Sequence, residues 1–175
     1  DLGIAYVPED RGSQGLIRAQ TIADNVALAN LRRLTRGFLM DAAKVLAEAR
    51  KAIEKFGIRA RGPEQIVRQL SGGNQQKVVL GKWLATNPRI LIMDEPTRGI
   101  DVGAKAEIHL LMRQLAGEGM AILMISSELP EVLGMSDRVL VMNSGRIVAE
   151  FDKAAATPEA VGAAMTHSAA SRSAA

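Results

Sequence analysis

Short uninterrupted apolar runs alternate along this chain with longer, helically spaced ones. Ile4–Val7 reads as a short strand that stops at Pro8, and the polar, glycine-rich stretch Glu9–Gly15 reads as a loop. Thr21 then precedes Ile22, Val26, Leu28, Leu31 and Leu34, an apolar set at helical spacing that Gly37 breaks. Asp41 can cap a second helix through Phe56, with Val45, Leu46, Ala49, Ile53 and Phe56 along one side and Gly57 as its stop. After a loop at Arg59–Pro63, Ser71 can cap a third helix from Gly72 to about Thr86, closed by Asn87-Pro88.

Ile90–Met93 and Ala121–Ile125 are uniformly apolar, which predicts strands covered on both faces, and Val102–Leu115 between them is helical. Pro130–Leu133 suggests a short helix. Arg138–Asn143 and Arg146–Phe151 read as strands joined at Ser144-Gly145, a hairpin signal. Thr157–Met165 predicts a last helix, and the small, polar end His167–Ala175 is expected to be disordered. The strand–helix alternation from Pro88 to Leu140 points to a parallel sheet in an α/β fold. Ile22–Gln69 reads as a separate helical lobe without strands. No internal repeat is visible.

Composition adds limits rather than identity. The 175 residues suffice for a real core, and 47% hydrophobic with 23% charged residues is ordinary for a globular chain. Aromatics are only 3%, so packing must rest on aliphatic side chains and eight methionines. Without cysteine there is neither disulfide nor thiolate metal site. The net charge of +3 comes from dispersed Lys and Arg facing similar numbers of acids, with no clustered basic face or stacking aromatics for nucleic acid. No apolar run approaches the roughly 18 residues of a membrane span. His109 within a helix and His167 in the tail are poor metal candidates, and Trp83 reads as packing.

Two stretches carry candidate chemistry. Ile90–Met93 leads into Asp94-Glu95-Pro96 at a strand's carboxyl end, where open α/β sheets bind ligands. Asp94 there can hold Mg²⁺ through water, and Glu95 can orient or deprotonate a water attacking phosphorus. An Asp-Glu-Pro turn that merely caps the next helix fits equally well. Leu70-Ser71-Gly72-Gly73-Asn74 opens a helix whose free N–H groups and partial positive charge attract phosphate, and its glycines allow close approach. A plain capped helix with a glycine turn explains the same residues.

In order, Leu70–Lys77, Asp94-Glu95-Pro96-Thr97, Gly99-Ile100-Asp101 and Ser126-Ser127-Glu128 resemble the ATP-binding cassette (ABC) ATPases from about Ile4 to Phe151. The resemblance implies an α/β P-loop NTPase fold, truncated, with a parallel-sheet core, a helical subdomain and a C-terminal hairpin. It implies ATP and Mg²⁺ as cofactors. By its pattern Leu70, Ser71, Gly72, Gly73 and Asn74 form the signature motif, Asp94 acts on Mg²⁺, Glu95 activates water, and Asp101 ends the D-loop between paired modules. Modules of this family sit head to tail, so a signature serves an ATP held mainly by the other module. Val7-Pro8-Glu9-Asp10-Arg11, Pro96–Lys105 and Ser126–Val132 are similar to the second cassette of double-cassette sugar importers of the ribose, xylose and galactose kind. Nucleoside importers share much of this pattern, whereas ABC ATPases acting on ribosomes or DNA fit these runs poorly.

The resemblance further implies a paired cassette, a membrane permease subunit docked by the helical lobe, and indirectly a periplasmic sugar-binding protein. It places the chain peripherally at the cytoplasmic face of the inner membrane. It divides the chain into a core strand and Q-loop region (1–18), a helical subdomain with the signature (19–86), a core with Walker B, D-loop and switch (87–151), and a C-terminal helix and tail (152–175). Three departures stand out. No G-x-x-x-x-G-K-[ST] loop occurs, so the family pattern places it before Asp1 and the chain is expected to be a fragment, inactive alone. Glu9 stands at the Q-loop glutamine position, where it keeps metal contact but offers no donor. Ser127 stands at the switch histidine position, shorter and always neutral. A weakly hydrolysing regulatory or docking module is therefore the alternative reading. A homodimer through sheet surface left bare is a further expectation.

Overall fold

The computed structural model describes residues 2–36 and 39–167. The chain divides after Ile125 into two compact units. The expectations for Gly37 and for the tail 168–175 lie outside the described residues.

In the first unit, β1 (Ile4–Val7), β4 (Ile90–Asp94) and β5 (Ala121–Ile125) form a parallel sheet of order β1-β4-β5. Ile4 pairs with Ile90, which pairs with Ala121, so alternate residues of all three strands share a face. On one face Ala5, Val7, Leu91 and Met93 are buried. There α4 (Gly72–Leu84) packs on β1, and α5 (Val102–Gly117) packs on β5. The other face is open: Ile4 is 48% exposed, Tyr6 44%, Leu123 49% and Ile125 47%. This corrects the expectation that β4 and β5 are covered on both sides. An apolar run reads the same whether one face or two are packed, and β5 is an outer strand.

The helical lobe also departs from its pattern. The predicted helix Ile22–Leu34 is two, α1 (Ile22–Leu28) and α2 (Leu31–Leu34). The break falls at Asn30, whose side-chain amide donates to the Ala85 carbonyl at 2.6 Å. A two-residue pair, β2 (Thr35–Arg36) and β3 (Leu39–Met40), follows where no strand is expected. Thr21 builds a capping box with Asp24 at the start of α1. Asp41 caps α3 (Ala42–Lys55), which lays Val45 and Ala49 against Ala23, Ala27 and Leu34. Within the supposed loop Glu9–Gly15, Arg11–Gly15 wind into a π-type turn capped by Asp10.

The second unit contains α6 (Leu129–Met135), the antiparallel pair β6 (Arg138–Asn143) and β7 (Arg146–Asp152), and α7 (Pro158–His167). Ser144 and Gly145 both take positive φ, 50° and 76°, the conformation a two-residue hairpin turn demands. Val139, Val141 and Val161 form its core.

Candidate functional site

Five of the expected site residues, Leu70 to Asn74, lie at the entry and first turn of α4. Ser71 is extended (φ −62°, ψ 159°) and caps the helix, its hydroxyl accepting from the Asn74 side-chain amide at 2.9 Å and from the Asn74 backbone at 3.5 Å. The Asn74 side-chain oxygen in turn accepts from the Arg59 backbone at 2.8 Å. Leu70 is buried, and its carbonyl accepts from the Gln75 side chain at 2.9 Å. The backbone N–H groups of Gly72 and Gly73 meet no acceptor among the described residues, leaving two donors at a positive helix end.

Both glycines have an internal reason for lacking a side chain. A Cβ on Gly73 would stand 2.4 Å from the Cβ of Ala104, so α4 and α5 meet there nearly backbone to backbone. A Cβ on Gly72 would stand 2.9 Å from Arg11 Nη2 and 3.3 Å from the Gly99 carbonyl. The patterning reads these glycines as room for phosphate; the packing adds that they first make room for the protein.

One turn further, the buried Lys77 ammonium pairs with Glu107 at 2.7 Å and donates to the Gly57 carbonyl at 2.9 Å. Arg59 joins Glu107 at 2.8 Å. The Lys77 hydrogen bond, then its charge and that of Arg59, hold the Glu107 carboxyl below the usual carboxylate range. This network ties α4 to α5 and to the end of α3. Glu107→Gln is expected to cost about 1–2 kcal/mol at neutral pH, discounted for the exposure of Glu107. A lowered pKa gives stability that is complete above the ordinary carboxylate range and lost as pH falls through the lowered value. The gap between Glu107→Gln and wild type in urea unfolding should therefore narrow on the acid side; a constant gap would count against the pairing.

Asp94 ends β4, and its Oδ2 accepts from the Tyr6 hydroxyl at 2.9 Å. That bond, with desolvation and the carboxylate charge, raises the Tyr6 pKa above its ordinary value. Glu95 turns out of the strand at φ 46°, a left-handed conformation that is strained for a non-glycine residue, while its N–H donates to the Ile125 carbonyl at 2.8 Å. Asp101 caps α5, accepting from the Ala104 backbone at 2.9 Å. Glu9 pairs with the Arg98 guanidinium. Ser127 is exposed ahead of α6 in the second unit.

A cleft of about 750 Å³ opens between the 9–12 segment, the start of α4 and the 98–99 turn, lined by Glu9, Arg11, Arg18, Gly72, Gln75 and Arg98. Of the expected site residues, Gly72 and Glu9 line this opening, whereas Leu70, Ser71, Gly73, Asn74, Asp94, Glu95 and Asp101 do not. Tyr6, Lys77, Glu107 and Ala104 complete these contacts, and their pairings carry no signal in sequence, because the partners are distant along the chain.

A parallel sheet with a capped glycine helix and a strand-end Asp-Glu fits an ATP-binding-cassette fold. The family model for ABC transporters matches residues 2–98, and the chain belongs to that family. Among relatives, it is 54% identical over 157 residues to the ribose import ATP-binding protein RbsA of Jannaschia sp. (strain CCS1), covering 90% of this chain and 30% of that protein. It is 54% identical over 160 residues to ribose import ATP-binding protein RbsA 1 of Rubrobacter xylanophilus, covering 91% and 32%. The chain therefore spans about a third of the length of these curated relatives. Among solved structures, the ATP-binding cassette MJ0796, a dimer in a post-hydrolysis state bound to ADP and Pi, aligns with a TM-score of 0.71 at 25% identity, covering 86% of this chain and 62% of that one. Among the described residues no helix is long and apolar enough to cross a membrane.

Proposed function

We propose that this chain is part of the ATP-hydrolysing subunit energising import of a sugar, ribose above others, and that its α4 start serves an ATP held by a paired cassette. The observation that carries this is the pair of unengaged Gly72 and Gly73 amides beside the Ser71 hydroxyl at a helix N-terminus. Those donors fit phosphate oxygens. Bound Mg²⁺-ATP supplies the scissile phosphoanhydride and the ion that neutralises its charge. Ser71, Gly72 and Gly73 would hold the phosphate end, Asn74 keeps the Ser71 hydroxyl in place, and Asp101 fixes the entry of α5 beside them.

Asp94 fits a magnesium ligand, since Tyr6 occupies one carboxylate oxygen and, among the described residues, none bonds the other. Among the described residues no three acidic or histidine side chains converge, so Asp94 would act with water and phosphate oxygens rather than within a protein cage. Glu95 would orient the attacking water. Glu9 would have to leave Arg98 to reach a metal, which favours the second reading, a regulatory or docking cassette with weak hydrolysis of its own. Ser127, neutral and short, suits that reading too. The helical lobe, residues 19–86, is assigned to docking on a permease at the cytoplasmic face of the inner membrane.

Ribose uptake tests the assignment. Deleting the full-length gene should abolish ATP-dependent ribose uptake, and restored uptake should require the permease. Unchanged ribose uptake with lost nucleoside uptake would redirect the cargo, and loss of neither would overturn the reading. The open apolar face of β1-β4-β5 supports a second proposal, that the 175-residue chain alone pairs with a second copy through that face. Light scattering reads this directly, and a monomer at about 100 μM, a range where exposed patches associate, would refute it.

A further inference from the structure

We infer that Arg11 is a positioning residue that locks the Arg98–Asp101 turn against the first turn of α4, an inference resting on the nucleotide-interface reading of that turn and helix. Its Nη1 donates to the Arg98 carbonyl at 2.9 Å and its Nη2 to the Gly99 carbonyl at 3.1 Å. Gly99 sits at φ 67°, a turn that glycine enters without strain, and Asp101 starts α5 two residues on. The same guanidinium abuts Gly72, where a Cβ would come within 2.9 Å of Nη2. Glycine at 72 is what admits the guanidinium between helix and turn.

Glu9 grips the same turn by pairing with the Arg98 side chain. Segment 9–11 therefore holds residues 98–99 twice, once through a side chain and once through the backbone. The consequence is that Ser71, the free amides of Gly72 and Gly73, and Asp101 are presented as one surface rather than two independent loops. A planar fork that bridges adjacent carbonyls is a job for arginine. Lysine keeps the charge but offers a single point of contact.

The test uses the full-length chain with Arg11→Lys. Hydrogen exchange without nucleotide should accelerate across residues 97–104, including the Ala104 amide bonded to Asp101. ATP turnover should fall about tenfold or more, because small misplacement of a positioned group is costly. Nucleotide affinity by calorimetry should stay within about twofold, since Arg11 touches no part of the phosphate anchor that the family pattern places elsewhere. Unchanged exchange, unchanged turnover, or lost affinity would each overturn the proposal. If Arg11→Lys fails to fold, Gly72→Ala serves, because its Cβ must displace the guanidinium and should raise the same exchange; no rise overturns the proposal. Where both fold, the double variant should lose no more turnover than the worse single one, and additive losses would refute the shared contact. A wild-type chain without ATP turnover sinks the functional reading alone, since the exchange measurement still decides the role of Arg11.

Discussion

Gly73→Ala should destabilise this chain by about 1–3 kcal/mol, and Ala104→Gly should recover most of that loss. The added methyl would overlap the Ala104 methyl at 2.4 Å. Neither methyl can rotate away, so the two helix backbones must separate. Alanine gains up to about 1 kcal/mol of helix propensity over glycine, which offsets part of the strain but not an overlap of this size. Ala104→Gly alone should cost about 0.5–1 kcal/mol. In the double variant the overlap vanishes. Gly62→Ala is a control, because nothing lies within 4 Å of the site its Cβ would take. Urea unfolding of wild type, the two single variants and the double variant gives the cycle. A Gly73→Ala chain as stable as wild type, or one that Ala104→Gly leaves unrescued, would show that α4 and α5 do not meet there.

That contact joins residues 31 positions apart and leaves no local pattern in the sequence. The cap at Ser71, the helix after it, the parallel strands and the Ser144-Gly145 hairpin are written in local periodicity and turn chemistry, and all are present. The openness of one sheet face is not. Ile4, Ile90, Leu123 and Ile125 sit exposed on that face, yet they are as apolar as the buried Val7 and Leu91. With apolar residues on both faces, the period of two that marks a half-covered strand is erased. The break between α1 and α2 is hidden for another reason: Asn30 bonds Ala85, 55 residues away. The site divides along the same line. Ser71 through Asn74, Asp94, Glu95 and Asp101 form motifs that a reader can see. The side chains that fix them, Arg11 on the 98–99 carbonyls, Tyr6 on Asp94 and Lys77 on Glu107, act across sequence distances no pattern spans. Glu9 shows the same limit, since its position suggests a metal and its neighbour in space is Arg98.

Ser71→Asp in the full-length chain should separate helix capping by Ser71 from the phosphate contact proposed for it. Aspartate caps a helix as well as serine does, so α4 should keep its stability. Its negative charge would stand beside the Gly72 and Gly73 amides and repel phosphate. ATP turnover should fall about 10²-fold or more, the scale of removing a preorganised anion-stabilising donor. Ser71→Arg should fall as far, but it also loses the cap, at about 1 kcal/mol, so only the aspartate variant isolates the effect on phosphate. Glu95→Gln is the counter-experiment. If the α4 start serves an ATP held by the paired cassette, and this chain's own carboxylates contribute little chemistry, Glu95→Gln should lower turnover by less than about tenfold, since removing a general base costs more where the chemistry depends on it. Abolished turnover in Glu95→Gln with normal turnover in Ser71→Asp would reverse the assignment, moving the chemistry to Asp94 and Glu95 and leaving α4 a structural helix. Loss in both would mean that each of the paired sites is needed, with this cassette contributing to one through its carboxylates and to the other through its signature.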